Sequence, residues 1–235
     1  MLEWLLLIVI SWIASTISGV AGFGGSLLIL PVFSHIVGAK KAIPILTIAW
    51  LMGNLSRAAF GYRDIQWQPV RYFSLGAVPA AVVGSRLFVE LPTELVLKGI
   101  GIFLLLVVLI RHTKWQRAVP QRWLIPVGAV VGLLSAVVGS AGPLGAAAFL
   151  SLNLPPTAYV ASEAVTAVLM HLTKSAIYGQ YDLITAQDAG VGVILGLAMV
   201  VGSWTARRFL KQLSTRWFGR IVEGLLVVAA ISLMV

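Results

Sequence analysis

The chain has 235 residues, of which 59% are hydrophobic and only 11% charged, where soluble domains carry about 25% charged residues. A mean hydropathy of +0.97, in runs that are continuous rather than alternating, excludes a soluble core and a β-barrel and leaves helices in a bilayer. The net charge of +9 does not point to nucleic acid, because the cations fall between apolar runs and form no basic stripe interleaved with aromatics.

The first four residues carry one charge, the acid Glu3. A secretory signal is basic there, so the first apolar segment is expected to stay in the mature chain. Two apolar pieces follow, at 4–20 and 26–37, either side of a Gly-rich break at Gly22, Phe23, Gly24, Gly25 and Ser26. Each is short of the ~20 residues that span a bilayer. Short pieces around a broken backbone predict a re-entrant hairpin or a discontinuous helix, which lipid tolerates only where the break lines a protein cavity. Full spans are then expected at 42–60, 68–89 and 95–111. The plan recurs with a broken pair at 123–139 and 143–152, then spans at about 157–178, 185–206 and 217–235. Pro143 suits the first turn of a helix, where its missing N–H is no loss.

The recurrence is residue by residue. A shift of 117 carries Ser18, Val20, Gly22, Gly25 and Leu27 onto Ser135, Val137, Gly139, Gly142 and Leu144. A shift of 118 carries Gly61 and Asp64 onto Gly179 and Asp182, and Val82, Val83, Gly84 and Ser85 onto Val200, Val201, Gly202 and Ser203. The expected organisation is therefore a first transmembrane repeat at 1–112, a basic loop at 113–121 and a second repeat at 122–235. The fold class is an all-α polytopic membrane protein, each repeat having a Gly-broken hairpin or discontinuous helix plus three transmembrane helices. If each broken pair returns to its own side, the repeats are inverted, and Lys and Arg outside the spans divide eleven against four. If each pair crosses once, they divide nine against six. The positive-inside rule favours inversion. Trp67, Trp115, Trp123 and Trp217 lie beside the positive loops, as interfacial anchors do.

Arg57 and Lys174 are left over, inside spans, and the shift of 117 relates them. Three residues before each lies a polar partner, Asn54 and His171, on the same helix face. A cation at membrane depth needs a partner or water. The few acids do not neutralise both, so an anionic substrate would supply the missing charge. Snorkelling to the interface is the alternative. The half-helices opening near Gly25 and Ser26, and near Gly142, would aim backbone N–H groups and the positive helix end at an anion. Gly22, Gly24 and Gly139 let it approach, and Ser26 and Ser140 add hydroxyls. Close helix packing through small residues is the alternative there. Glu163 shares a face with Lys174 and is a candidate for proton coupling or for a structural ion pair. His171 is a second titratable candidate. There is no Cys, no Ser/His/Asp set and no His/Asp/Glu cluster at metal spacing, so no enzyme, cofactor or metal is expected.

The motifs at 18–26 (Ser-Gly-Val-Ala-Gly-Phe-Gly-Gly-Ser) and 135–143 (Ser-Ala-Val-Val-Gly-Ser-Ala-Gly-Pro), one early in each four-segment half, resemble those of the TauE/SafE sulfite exporter family of anion permeases. The first half-helix carries Leu30 and Pro31. The second departs from it, with Pro143 where Ser26 stands and Ala148 where Pro31 stands. The resemblance implies a bacterial inner-membrane permease for a small sulfur oxyanion or organosulfonate such as sulfite or sulfoacetate. The expected function is a secondary anion transporter with its site between the repeats. A passive anion channel and a non-catalytic scaffold subunit are the alternatives. The expected partners are the small anion and the lipid bilayer, with a homodimer left open and nucleic acid excluded.

Overall fold

The computed structural model describes residues 2–21, 25–112 and 120–209. Its helices are α1 (Leu2–Ala21), α2 (Gly25–Val37), α3 (Ala39–Phe60), α4 (Trp67–Glu90), α5 (Thr93–His112), α6 (Leu124–Val137), α7 (Gly142–Leu150), α8 (Pro156–Gln180) and α9 (Ala186–Phe209). Short 3-10 turns stand at Tyr62–Asp64 and Gln121–Trp123. Among the described residues there is no strand. α6 ends and α7 begins around the expected second break, residues 22–24 of the first lie outside the described residues, and the starts of α2 and α3 recur 117 residues on as the starts of α7 and α8. The expected span at 217–235, residues 113–119 of the basic loop, Trp115 and Trp217 lie outside the described residues.

One element differs in length. α1 has 20 residues, about 30 Å at 1.5 Å per residue, and is not the short piece expected. No Gly or Pro interrupts residues 2–18, so the helix runs unbroken to the glycines. Its sequence counterpart α6 has 14 residues and starts only after Pro120 and a 3-10 turn.

Among the described residues, three helices are long and apolar enough to cross a membrane: Ala39–Phe60, Trp67–Glu90 and Ala186–Ala206. α8 is as long, but its buried residues include Glu163, His171 and Lys174. The interior combines an apolar core with a set of buried polar groups, and the outer surface is strongly apolar. Ser15, Asn54, Ser135, Thr166 and Lys174 are buried, while Leu75, Val83, Leu87, Leu197 and Val201 are exposed. A lipid surround accounts for both halves of that pattern.

The packing is reciprocal between the sequence halves. α1 packs on α9 and α6 on α4; α3 packs on α9 and α8 on α4; α3 and α8 pack on each other. Equivalent helices run in opposite directions where they meet. The end of α3 lies by the start of α8, because a Cβ at Gly61 would come within 2.7 Å of the Ala161 Cβ. Further along, the rings of Trp50 and His171 stand 5.8 Å apart. The numbering rises on one helix as it falls on the other, so the two are antiparallel.

The α4–α6 contact is made by small residues. Gly128, Gly132 and Ala136 recur every fourth position on α6. A Cβ on Gly128 would strike the carbonyl oxygen of Phe73, and one on Gly132 that of Ala77. From the other side, Gly76 lies against the carbonyl of Ile125. In lipid, packing of this kind replaces the hydrophobic drive between helices. The α1–α9 contact adds hydrogen bonds. Ser15 Oγ donates to Met199 O at 2.5 Å, and Thr16 Oγ1 to Gly202 O at 3.3 Å.

Replacing Gly132 by leucine is expected to separate α4 from α6 and to cost at least about 1–3 kcal/mol, the usual range for overpacking. Gly190, whose Cβ would meet nothing within 4 Å, is the control. Gly190→Ala should be neutral or stabilising by about 0.5–1 kcal/mol. Thermal unfolding of the purified variants in detergent checks both.

Candidate functional site

The site is built from two helices at the centre of the packing. On α3, Trp50, Asn54 and Arg57 are spaced four and three residues apart and share a face. On α8, Glu163, Thr166, Ala167, Met170 and His171 do the same. These faces enclose a cavity also walled by Ser15 and Ser18 of α1, Val131 and Ser135 of α6, Phe73 of α4 and Met199 of α9. Ser140, in the turn before α7, and Gly142 and Gly145 of α7 close another side. Its volume, counted over positions open to the centre of a water-sized molecule, is about 50 Å³. About 10–15 Å³ on that measure holds one water, so a small oxyanion or a few waters fit.

The wall repeats across the two sequence halves. Ala14 and Val131, Ser18 and Ser135, Trp50 and Ala167, Gly53 and Met170, and Asn54 and His171 all line it, and the shift of 117 relates each pair.

The two cations take parallel posts with different outlooks. Arg57 lines the cavity. Its Nη1 donates to Ser18 O at 3.3 Å and its Nη2 to Asn54 Oδ1. Asn54 Nδ2 in turn donates to Trp50 O at 2.8 Å. Lys174 is fully buried, stands behind the wall of the cavity and donates from Nζ to Ser135 O at 2.9 Å and Gly139 O at 2.8 Å. Its Nζ also lies 5.6 Å from the Trp50 ring centroid. Ser18 is in the last turn of α1 and Ser135 in the last turn of α6. Carbonyls there have no partner within the helix and carry the negative end of its dipole. Each cation therefore caps the first helix of its own half's broken pair.

The breaks differ in what they offer. Gly139 adopts φ +86°, the left-handed conformation that glycine takes without strain. The turn lets its carbonyl reach Lys174. At the start of α7, Leu144 and Gly145 donate their N–H groups back to Ala141 O, and Pro143 has none. The N–H of Gly142 is the one of that turn not used in this way. Gly25 and Ser26 open α2, while Gly22 and Gly24 lie outside the described residues.

Three polar atoms in the cavity wall are buried without a hydrogen-bond partner: Trp50 Nε1, Glu163 Oε2 and His171 Nδ1. Buried polar groups nearly always have partners, which sets these three apart from the rest of the wall. The Glu163 carboxylate abuts α7, since a Cβ at Gly145 would sit 3.9 Å from its Oε1. Ser56 and Thr173 turn away and donate to carbonyls of their own helices. Sequence reasoning missed Trp50, Ser15, Phe73 and Met199. Trp50 was within reach, one helical turn before Asn54 on the Asn54–Arg57 face. The others come from helices whose approach no local pattern announces.

Lys174→Ala would leave two buried carbonyls without their donor, at about 1–3 kcal/mol each. We expect a clear fall in the thermal unfolding midpoint, larger than that of Arg57→Gln, whose site faces a cavity that admits water. Unfolding curves of the two variants side by side test the ranking.

The family model described as Sulfite exporter TauE/SafE matches residues 7–233. No curated protein and no solved structure matches the chain. A match over nearly the full length makes the chain a membrane transporter rather than an enzyme: it belongs to the TauE/SafE sulfite exporter family.

Proposed function

We propose that the chain is a secondary transporter of a small anion, a sulfur oxyanion or organosulfonate such as sulfite or sulfoacetate, and a multi-pass protein of a bacterial inner membrane. The observation that carries this reading is the cavity. It is small, it is walled by equivalent positions of both sequence halves, and it holds Arg57 beside an indole N–H and serine hydroxyls. The family description supports a sulfur oxyanion as cargo.

In this reading the two halves are inverted repeats. The antiparallel course of α3 and α8 and the reciprocal packing of the two halves support it, as does the eleven-to-four division of Lys and Arg. Alternating access then rocks one half against the other around a fixed central site. Arg57 balances the charge of the anion, with Asn54 holding its guanidinium and His171 facing it from the other half. Gly142, Gly139 and Ser140 form the tip on the side of α7, and Gly25 and Ser26, at the start of α2, its equivalent in the first half. Lys174 acts from behind, by fixing the end of α6. Glu163, the acid in the wall among the described residues, carries the coupling proton.

Proteoliposome flux tests the assignment. The wild-type chain should accumulate sulfite or sulfoacetate against its gradient when a proton gradient is imposed. Arg57→Gln should lower flux by about tenfold or more, the loss of one charge-assisted hydrogen bond. Glu163→Gln should abolish uphill accumulation and keep anion exchange. Downhill flux alone in the wild-type chain, indifferent to any ion gradient, would make the protein a passive channel.

A further inference from the structure

We propose that Trp50 decides which of the two buried cations meets the cargo: its indole screens Lys174 from the cavity, whereas the equivalent residue, Ala167, leaves Arg57 in the wall. The inference rests on the anion-transporter reading and adds the residue that sets how many cations face the anion.

Trp50 touches both parties. It is buried in the cavity wall, and Lys174 Nζ lies over its ring, 5.6 Å from the centroid. Lys174 is close behind that wall, because Ser135, whose O and Oγ it meets at 2.9 and 3.4 Å, is itself a wall residue. An ammonium has three N–H donors. Two are held by Ser135 O and Gly139 O. The third falls to the Ser135 hydroxyl at 3.4 Å, a long contact, and to the indole face. A ring face attracts a cation, so the indole both covers the ammonium and partly satisfies it. The mirror position has the opposite outcome. α3 and α8 run antiparallel, so a step forward on one matches a step back on the other. Seven residues on from Trp50 stands Arg57, and seven back from Lys174 stands Ala167. The shift of 117 relates the same four residues, Trp50 to Ala167 and Arg57 to Lys174. Arg57 therefore stands opposite Ala167 as Lys174 stands opposite Trp50. A methyl group cannot cover a guanidinium, and Arg57 and Ala167 both line the cavity. Each cation caps a helix end, at Ser18 O and Ser135 O, so capping does not tell them apart. The residue across from each one does.

Titration calorimetry on the purified full-length chain in detergent provides the test, with methanesulfonate, a monoanion, and sulfate, a dianion, both fully ionised at neutral pH. Trp50→Ala, which puts at 50 what stands at 167, should raise the ratio of sulfate to methanesulfonate affinity at least about tenfold, the scale of one added hydrogen bond to a charged group. Trp50→Phe keeps a ring over Lys174 and should leave the ratio in place, whatever it does to both affinities. Adding Lys174→Met to Trp50→Ala should cancel the rise. Trp50→Leu carries the same test, with a smaller rise, if Trp50→Ala does not fold. Acetylation by acetic anhydride, read by mass spectrometry, is the second readout. In the wild-type chain Lys174 should stay unmodified while the half-exposed Lys41 and Lys98 react. In the Trp50 truncations it should become reactive, and sulfate should protect it. An unchanged ratio in the truncations overturns the inference and leaves the anion reading standing, because the carbonyls alone would then hold Lys174 out of the cavity. Acetylation of Lys174 in the wild-type chain, slowed by either anion, overturns it as well, and needs no variant. Binding of neither anion overturns both.

Discussion

The structure depends on solving one problem, the helix that ends inside the protein. A helix that stops within the membrane leaves its last carbonyls without intrahelical partners and with no bulk water to take their place. α6 stops at Val137, and Lys174 reaches in from α8 to bind Ser135 O and Gly139 O. α1 stops at Ala21, and Arg57 of α3 reaches Ser18 O. A cation at the negative end of a helix is a favourable pairing, and it also resolves the cost of placing that cation in an apolar surround. The broken helix and the buried cation each make the other tolerable.

From that pairing the cavity follows. The central faces of α3 and α8 line the cavity together with residues near the ends of α1 and α6 and at the start of α7. The two cations then diverge. Arg57 has a second donor nitrogen and a neighbour, Asn54, that holds its plane, so it can cap a helix and still face the cavity. The single ammonium of Lys174 spends its hydrogen bonds on two carbonyls and a serine. The substitution of Lys for Arg between the halves thus breaks the symmetry of the charge around the cavity, although equivalent positions of both halves line it.

The contacts between halves are of two kinds. α4 and α6 are locked backbone to backbone through Gly76, Gly128 and Gly132, a contact with little tolerance for sliding. α3 and α8 meet instead through side chains around the cavity, with Trp50, His171 and Glu163 between them.

Among the described residues, the order of the helices, the starts of α2 and α7 and the equivalence of Arg57 with Lys174 were legible in the sequence. They depend on local hydropathy, on glycine and proline, and on a repeat that any shifted comparison reveals. The resemblance carried by residues 18–26 and 135–143 led to the family. The length of α1 was misjudged because the glycine break drew attention to a short helix when no residue before it interrupts one. The tertiary structure alone decided what the cations touch. Helical spacing places Arg57 and Lys174 at equivalent depth on equivalent faces, but whether a flexible side chain turns to a carbonyl or to a cavity depends on which helices stand beside it. The same holds for Glu163, Trp50 and His171, whose unpartnered atoms acquire meaning only once α3 and α8 are brought face to face. Sequence periodicity determines which face a residue occupies; the neighbour that face meets is a long-range property, fixed by where small residues let helices approach.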